Sequence, residues 1–247
     1  MEQPTPPAPP QSPNDRFSLI WGQAMQCLRE EAWDEAEGLL WRLWQLAPSP
    51  PWELRDALGF CLLQQGSYAL CESVLLPALA QAGCSFWVSH KLGDALLGQN
   101  RFAEAARYYE LAEMRGSDSA LTARNLLQAL YPVDPQHCLQ ILQRWSQDAS
   151  TPAAFWVGAR EAALFLPTLH LAEWLWEHDR SDEACRRRLL EARCLGLDAE
   201  GCWHILARCS AWSAWETALA QRLEQLGLGQ QLQAQPLPHD GRNPLHG

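Results

Sequence analysis

Four cysteines and a histidine near the C-terminal end are the residues best suited to bind a metal ion. Cys185, Cys194, Cys202 and Cys209 are separated by nine, eight and seven positions, and His204 lies among them. Zinc sites favour cysteines only a few residues apart, because two thiolates then share one turn. The observed spacings place these cysteines on separate helices. The sequence therefore predicts buried thiols and no metal site.

No group of residues in the sequence points to catalysis. A nucleophile needs a base and an orienting group in the same pocket. The chain has no G-x-S-x-G motif and no glycine-rich loop that would hold a phosphate. We interpret His170, His178 and His204 as helix-surface or partly buried residues. The prediction is a protein that is not an enzyme, with no catalytic residues and no cofactor.

Charge and composition exclude several other classes of protein. The formal net charge of −10 disfavours a general nucleic-acid-binding protein, which needs a basic face to displace counterions from phosphates. Nine cysteines scattered through helical segments do not resemble a secreted disulfide framework. The N-terminus has no signal-peptide pattern, and no apolar run is long enough for a membrane helix. We expect a cytoplasmic protein without nucleic-acid or membrane partners.

The strongest pattern in the chain is a motif that recurs after 34 positions. A Leu-Gly pair at 58–59 is found again at 92–93. Residues downstream keep the same interval, as in these pairs: Gly66 and Asn100, Tyr68 and Phe102, Leu75 and Tyr109, Ala78 and Ala112. A period of this length is typical of helix-turn-helix repeat arrays. The Gly and Asn of the first pair stand at the predicted turns, where a positive φ is often required.

Hydrophobic periodicity predicts helices across most of the chain. Residues 1–15 contain six of the 17 prolines and are predicted to form a disordered tail, as are residues 229–247. Between the tails, apolar residues recur at helical spacing, and Gly and Pro separate helices of about 12–15 residues. Residues 16–150 are predicted to form the repeats, and residues 151–228 irregular helical hairpins that continue or cap them.

Residues 17–150 resemble the tetratricopeptide-repeat family. The unit that matches best has the following residues at the family's positions: Leu92, Gly93, Leu96, Phe102, Ala105, Tyr109 and Ala112. The resemblance implies an all-α, right-handed superhelical solenoid of antiparallel helix pairs, whose first helices line a concave groove for a peptide or a helix. Gly59 and Gly93 would let paired helices approach closely, while Leu75 and Tyr109 would fill the gaps between hairpins.

In this register, residues of the first helices are predicted to face the groove. They combine aromatic anchors, carboxylates and hydrogen-bond donors, and they are Trp21, Met25, Asp56, Phe60, Trp87, His90, Lys91, Asp94, Arg124, Asn125 and Gln128. Such a surface suits a peptide held by a few apolar side chains and oriented by polar contacts. The alternative for Trp21, Phe60 and Trp87 is packing between repeats. One branch of the family clamps a C-terminal carboxylate, but Asp56 and Asp94 occupy positions where that branch needs donors.

The C-terminal half differs in composition from the repeats. It is rich in tryptophan, at positions 156, 174, 176, 203, 212 and 215. Either the helix that carries Trp174 and Trp176 is a central one, buried on two sides, or the rings form an exposed patch for a partner or for self-association. The run Arg186-Arg187-Arg188 is predicted to be a solvated helix face.

Arrays of this kind usually bind other proteins. The predicted function is that of a non-enzymatic adaptor or scaffold, which binds a protein or peptide of unspecified identity in the groove. Two alternatives stay open. One is a helper subunit that acts in trans with a glycosyltransferase or methyltransferase, and the other is a self-assembling structural array.

Overall fold

The computed structural model of the chain describes residues 13–166, 169–179, 182–209 and 211–226. These ranges contain thirteen α-helices, one 3-10 helix and no strand, which confirms the prediction of an all-α protein. The α-helices are α1 Pro13–Arg29, α2 Trp33–Leu46, α3 Trp52–Gln64, α4 Tyr68–Leu75, α5 Phe86–Gly98, α6 Phe102–Met114, α7 Ala120–Leu130, α8 Pro135–Gln147, α9 Ala153–Phe165, α10 His170–His178, α11 Glu183–Leu195, α12 Ala199–Leu206 and α13 Ala214–Gln225. No helix in the same ranges is both long and apolar enough to cross a membrane.

The predicted tails fall almost entirely outside the described residues. This holds for all of 229–247 and for 1–12. The first helix begins at Pro13, so residues 13–15 are helical and do not belong to a tail. Proline suits the first position of a helix, because the N–H that it lacks would have no acceptor there. Asp15 adds a negative charge near the positive end of the helix dipole.

The chain divides into two compact units. The first contains Met1–Asp118 together with Ala129–Asp134, and the second contains Ser119–Gln128 together with Pro135–Gly247. The division therefore falls within and around α7.

In the first unit, successive helices from α1 to α6 pack in chain order, and α3 also packs against α5. The turns that end α3 and α5 have the same geometry. Gly66 and Asn100 have φ values of 74° and 59°, which confirms the positive φ predicted for both. The next amide donates to a carbonyl five residues back, over 2.8 Å from Ser67 and 2.9 Å from Arg101. These bonds satisfy carbonyls that the helix end would otherwise leave unpaired.

The close approach of paired helices also recurs at the 34-residue interval. A β-carbon added to Gly59 would lie 2.5 Å from the side chain of Leu75, and one added to Gly93 would lie 2.6 Å from the ring of Tyr109. Distances this short are not tolerated between carbon atoms. The predicted close approach at both glycines is therefore confirmed. Leu75 and Tyr109 make this contact within their own helix pair, whereas the prediction placed them in gaps between hairpins.

One difference between the two helix pairs comes from a proline. Helix α4 ends at Leu75, whereas its counterpart α6 continues for five more residues. Pro77 has no N–H to donate to the preceding turn, so it interrupts the α-helical hydrogen bonds. The chain continues as the 3-10 helix Leu76–Ala80, which still buries Ala78.

In the second unit, α9 packs against α10 and α11, α11 packs against α10 and α12, and α12 packs against α13. The closest approach is at Gly158 of α9, where a β-carbon would lie 2.1 Å from the backbone oxygen of Ala120. Side-chain caps begin the later helices: the Asp182 carboxylate accepts from the Cys185 amide at the start of α11. Helix α13 begins with a capping box formed by Ser213 and Glu216.

Candidate functional site

The predicted groove residues are divided between the two units. Eight of them lie on α1, α3 and α5 of the first unit: Trp21, Met25, Asp56, Phe60, Trp87, His90, Lys91 and Asp94. Arg124, Asn125 and Gln128 lie on α7 and belong to the second unit. There, Arg124 Nε donates to Asn125 Oδ1 over 3.1 Å, and its Nη1 lies 3.5 Å from Glu161 Oε2. The candidate site is therefore the set of eight, which we call the first-helix surface.

An ion pair joins α3 to α5 on the first-helix surface. Lys91 Nζ lies 2.7 Å from Asp56 Oδ1 and 2.8 Å from Oδ2. The same ammonium lies 5.5 Å from the centroid of the Phe60 ring, within the range of a cation–π interaction. Phe60 in turn meets Trp33 edge-on, with 5.8 Å between ring centroids. Lys91 is the only lysine of the chain, and its charge is already matched within the protein.

A second polar group lies further along α5. The Tyr109 hydroxyl donates to Asp94 Oδ1 over 2.6 Å, and His90 Nε2 lies 3.4 Å from Asp94 Oδ2. The His90 ring meets Trp87 and Tyr109 edge-on, at 5.1 and 5.4 Å between centroids. Only 4% of His90 is exposed. His90 is therefore the buried member of the first-helix surface, with its ring against Trp87 and Tyr109 and its Nε2 against Asp94.

The apolar members of the first-helix surface are partly accessible. Trp87 is 36% exposed, while Trp21, Met25 and Phe60 are half-buried. Trp21 and Met25 also pack against the core of the first unit. The same side chains thus pack against neighbouring helices and remain partly accessible at the surface. The surface therefore presents aromatic rings that packing holds in place, and its charged groups are hydrogen-bonded within the protein.

A cysteine beneath this surface, Cys71, is hydrogen-bonded to the backbone. Cys71 Sγ donates to the carbonyl oxygen of Gly59 over 3.3 Å. Burial raises the pKa of the Cys71 thiol to about 12, so the thiolate is scarce near neutral pH. Its role is that of a small apolar residue at the contact between α3 and α4.

The six tryptophans of the C-terminal half differ in exposure: two are buried, three are half-buried and one is exposed. Trp176 and Trp203 are 3% and 6% exposed, and Trp174 is half-buried. Trp215 is the most open of the six, at 37%. This distribution favours the interpretation of buried helices over that of one exposed aromatic patch.

A pocket of about 410 Å³ lies between α9 and α10. The rings of Trp156 and His178 stack in its wall, with 4.9 Å between centroids and 14° between planes. Arg160 donates to the carboxylates of both Asp179 and Asp182 in the same wall, the former over 3.3 Å. The charged groups that line the pocket are thus paired with one another, as they are on the first-helix surface.

The arginine run of α11 is not a solvated face, contrary to the prediction. Arg186 is 7% exposed, and its Nε and Nη2 lie 2.5 and 3.2 Å from the carboxylate oxygens of Glu216, which is 1% exposed. Arg188 is half-buried and donates to backbone carbonyls at the end of α9. Only Arg187 projects into solvent, with 60% of its side chain exposed. The sequence carried no signal for this, because the partner of Arg186 lies 30 positions away.

The four cysteines considered as metal ligands follow the prediction of buried thiols in three cases. Cys185, Cys202 and Cys209 are buried, and Cys194 is half-buried. The prediction that the four lie on separate helices is wrong for Cys185 and Cys194, which are both on α11. In the described part of the chain, no group of three or more His, Cys, Asp or Glu residues is placed to hold a metal ion. Neither a protein-family model nor a curated protein matches the chain. Functional inference therefore rests on the residues and on their geometry.

Proposed function

We propose that the chain is a non-enzymatic adaptor, which binds a segment of another protein on the first-helix surface. The first unit would then be the start of a tetratricopeptide-like, right-handed solenoid of antiparallel helix pairs. The observation that carries this proposal is the recurrence of one helix-pair geometry after 34 residues. The same glycine contact and the same positive-φ turn occur in both pairs. In a helix-pair repeat, equivalent positions of the first helices, here α3 and α5, would lie side by side and form one surface.

The contacts on the first-helix surface indicate how it would bind. Asp56 and Lys91 hold each other, and Asp94 is bonded to Tyr109, so these charges need no partner from outside. Binding free energy would come mainly from burial of aromatic surface, above all that of Trp87. Because the side chains are already held by packing and ion pairs, little conformational entropy is lost on the receptor side. The expected ligand is a peptide or helix with one or more large apolar side chains.

Affinity purification with mass spectrometry tests the proposal with a matched pair of variants. Trp87→Ala removes an aromatic ring from the first-helix surface, and Trp215→Ala removes one of nearly equal exposure, 37% against 36%, from the second unit. A partner that binds the first-helix surface is lost by Trp87→Ala and retained by Trp215→Ala. Retention by both variants, with circular dichroism unchanged, would contradict the proposal.

The same experiment separates the two alternative functions. A glycosyltransferase or methyltransferase among the proteins captured by the wild type, and lost by Trp87→Ala, would assign the helper-subunit role. Recovery of the chain alone, with a particle mass that rises with concentration in light scattering, would assign self-assembly. A strict monomer at high concentration removes that second alternative.

A further inference from the structure

Two cysteines face each other across the α11–α12 hairpin of the second unit. Cys194, in the last turn of α11, and Cys202, in α12, have their sulfur atoms 3.6 Å apart. Leu197, with φ of 56°, turns the chain between them. The turn is closed by the amide of Asp198, which donates to the carbonyl of Arg193 over 2.9 Å. The two sulfurs are in contact but are not bonded, and both thiols are free.

We propose that Cys194 and Cys202 form an oxidisable dithiol, which a peroxide converts to an intrachain disulfide. A disulfide has its sulfurs about 2.05 Å apart, so they must approach by about 1.5 Å from their present separation. The hairpin already brings the two sulfur atoms into contact, 3.6 Å apart. The product would fasten α12 to α11 at the end next to the turn.

The exposure of the two thiols assigns their order of reaction. Cys194 is half-buried, whereas Cys202 is buried. The Cys194 sulfur attacks one oxygen of the peroxide, the O–O bond breaks, and water leaves as a sulfenic acid forms. The Cys202 sulfur then attacks the Cys194 sulfur and displaces the sulfenic oxygen as a second water. Two thiols are oxidised by two electrons, and one hydrogen peroxide is reduced to two waters.

The other buried thiols are engaged elsewhere. Cys61 donates to the carbonyl of Trp33 over 3.0 Å, and Cys209 donates to the carbonyl of Ile205 over 3.2 Å. Neither hydrogen bond brings a second sulfur to the thiol. Cys194 and Cys202 are therefore distinguished by sulfur-to-sulfur contact and not by burial alone.

The second step is expected to depend on pH. Burial, and after it the hydrogen bond with Cys194, raises the pKa of the Cys202 thiol to about 12. Because the thiolate is the attacking form, closure of the disulfide should accelerate as the pH rises from 7 toward 9. The rate at which the full chain loses about 2 Da in peroxide should therefore rise over this pH range, as mass spectra taken at timed intervals would show.

The full chain can be tested by treatment with hydrogen peroxide at low protein concentration. The expected product is monomeric, has lost about 2 Da, and regains that mass with dithiothreitol. A protease that cuts after Glu200, which lies between the two cysteines in sequence, should leave their peptides joined until reduction. Stable oxidation of Cys194 with a gain of oxygen would overturn the proposal, as would bonds only to other cysteines or between chains.

Two single variants sharpen this experiment. Cys194→Ser should prevent the loss of about 2 Da, because the accessible thiol of the pair is gone. Cys84→Ala is the matched control, since Cys84 is equally half-buried but lies in the first unit, and it should oxidise as the wild type does. Equal loss of the product in both variants would contradict the assignment. The peptide map of the wild type decides the question even if a variant fails to fold.

Discussion

In the second unit, Arg186 and Glu216 form a buried ion pair. Burial alone would raise the pKa of the Glu216 carboxyl, but hydrogen bonds from Arg186 and from Ser213 outweigh it and hold the pKa below its usual value. Taking two charges out of water is costly, and their attraction compensates only when the geometry is good and the remaining lone pairs are satisfied. Here both carboxylate oxygens have partners.

Removal of one partner of this pair should therefore be far more harmful than removal of both. We expect Arg186→Met to lower the free energy of unfolding by about 3–5 kcal/mol, because it leaves Glu216 buried without its counterion. The double variant Arg186→Met, Glu216→Leu should recover most of that loss. Urea denaturation followed by circular dichroism measures both. If the double variant were as unstable as the single one, the pair would not be the cause.

The lowered pKa of Glu216 also gives a pH dependence with a definite sign. Its native pKa is below that of the unfolded chain, so its stabilising contribution is fully present above the unfolded value of 4.5. The contribution is lost as the pH falls through the native pKa. Between pH 7 and pH 3, Glu216→Gln should lose less unfolding free energy than the wild type does. Parallel losses in the two proteins would exclude Glu216 as a source of acid sensitivity.

At the scale of the helices, close contact between packed helices depends on glycines that face a large side chain or another helix's backbone. Gly93 lies against Tyr109, which is fully buried and is held through its hydroxyl by Asp94. Gly158 lies against backbone atoms of α7, which cannot rotate away as a side chain could. Gly38, in the middle of α2, has open space around it. Glycines in helices thus serve different purposes at different positions.

Alanine substitutions should separate these purposes. Gly93→Ala forces the Tyr109 ring to shift and should destabilise the protein by about 1–3 kcal/mol. Gly38→Ala, the control, should stabilise it by about 0.5–1 kcal/mol, because alanine loses less backbone entropy in a helix. Thermal unfolding of the two variants beside the wild type checks both signs. An increase in melting temperature for Gly93→Ala would show that the helices are not in close contact there.

How much of this was predictable depends on sequence separation. The helices and the turns at Gly66 and Asn100 follow from local periodicity and backbone conformation, so the sequence predicted them. The pairing of Asp56 with Lys91 depends on the register between two helices 35 positions apart, which local patterns do not specify. The burial of His90 escaped prediction for the same reason, because a ring from α6 covers it.

Over the whole molecule, the two units differ in how their contacts are organised. The first repeats one helix-pair geometry, and its charges are matched across the first-helix surface. The second contains a buried ion pair, the buried Trp176 and Trp203, and the Cys194–Cys202 contact. The eleven predicted groove residues are shared between these units, so the proposal of a binding surface now rests on the eight in the first. The proposed role of the molecule is to present the aromatic side chains of the first-helix surface to a partner, in positions fixed by the repeated helix pairs.

The most direct test of this role is the dissociation constant of a captured partner, measured by calorimetry for the wild type, Trp87→Ala and Trp215→Ala. A tryptophan at the centre of an interface contributes about 2 kcal/mol or more, which corresponds to about 30-fold in affinity. We predict that Trp87→Ala weakens binding by at least about that factor and that Trp215→Ala leaves it within about twofold. Equal affinities for all three proteins would contradict binding at the first-helix surface.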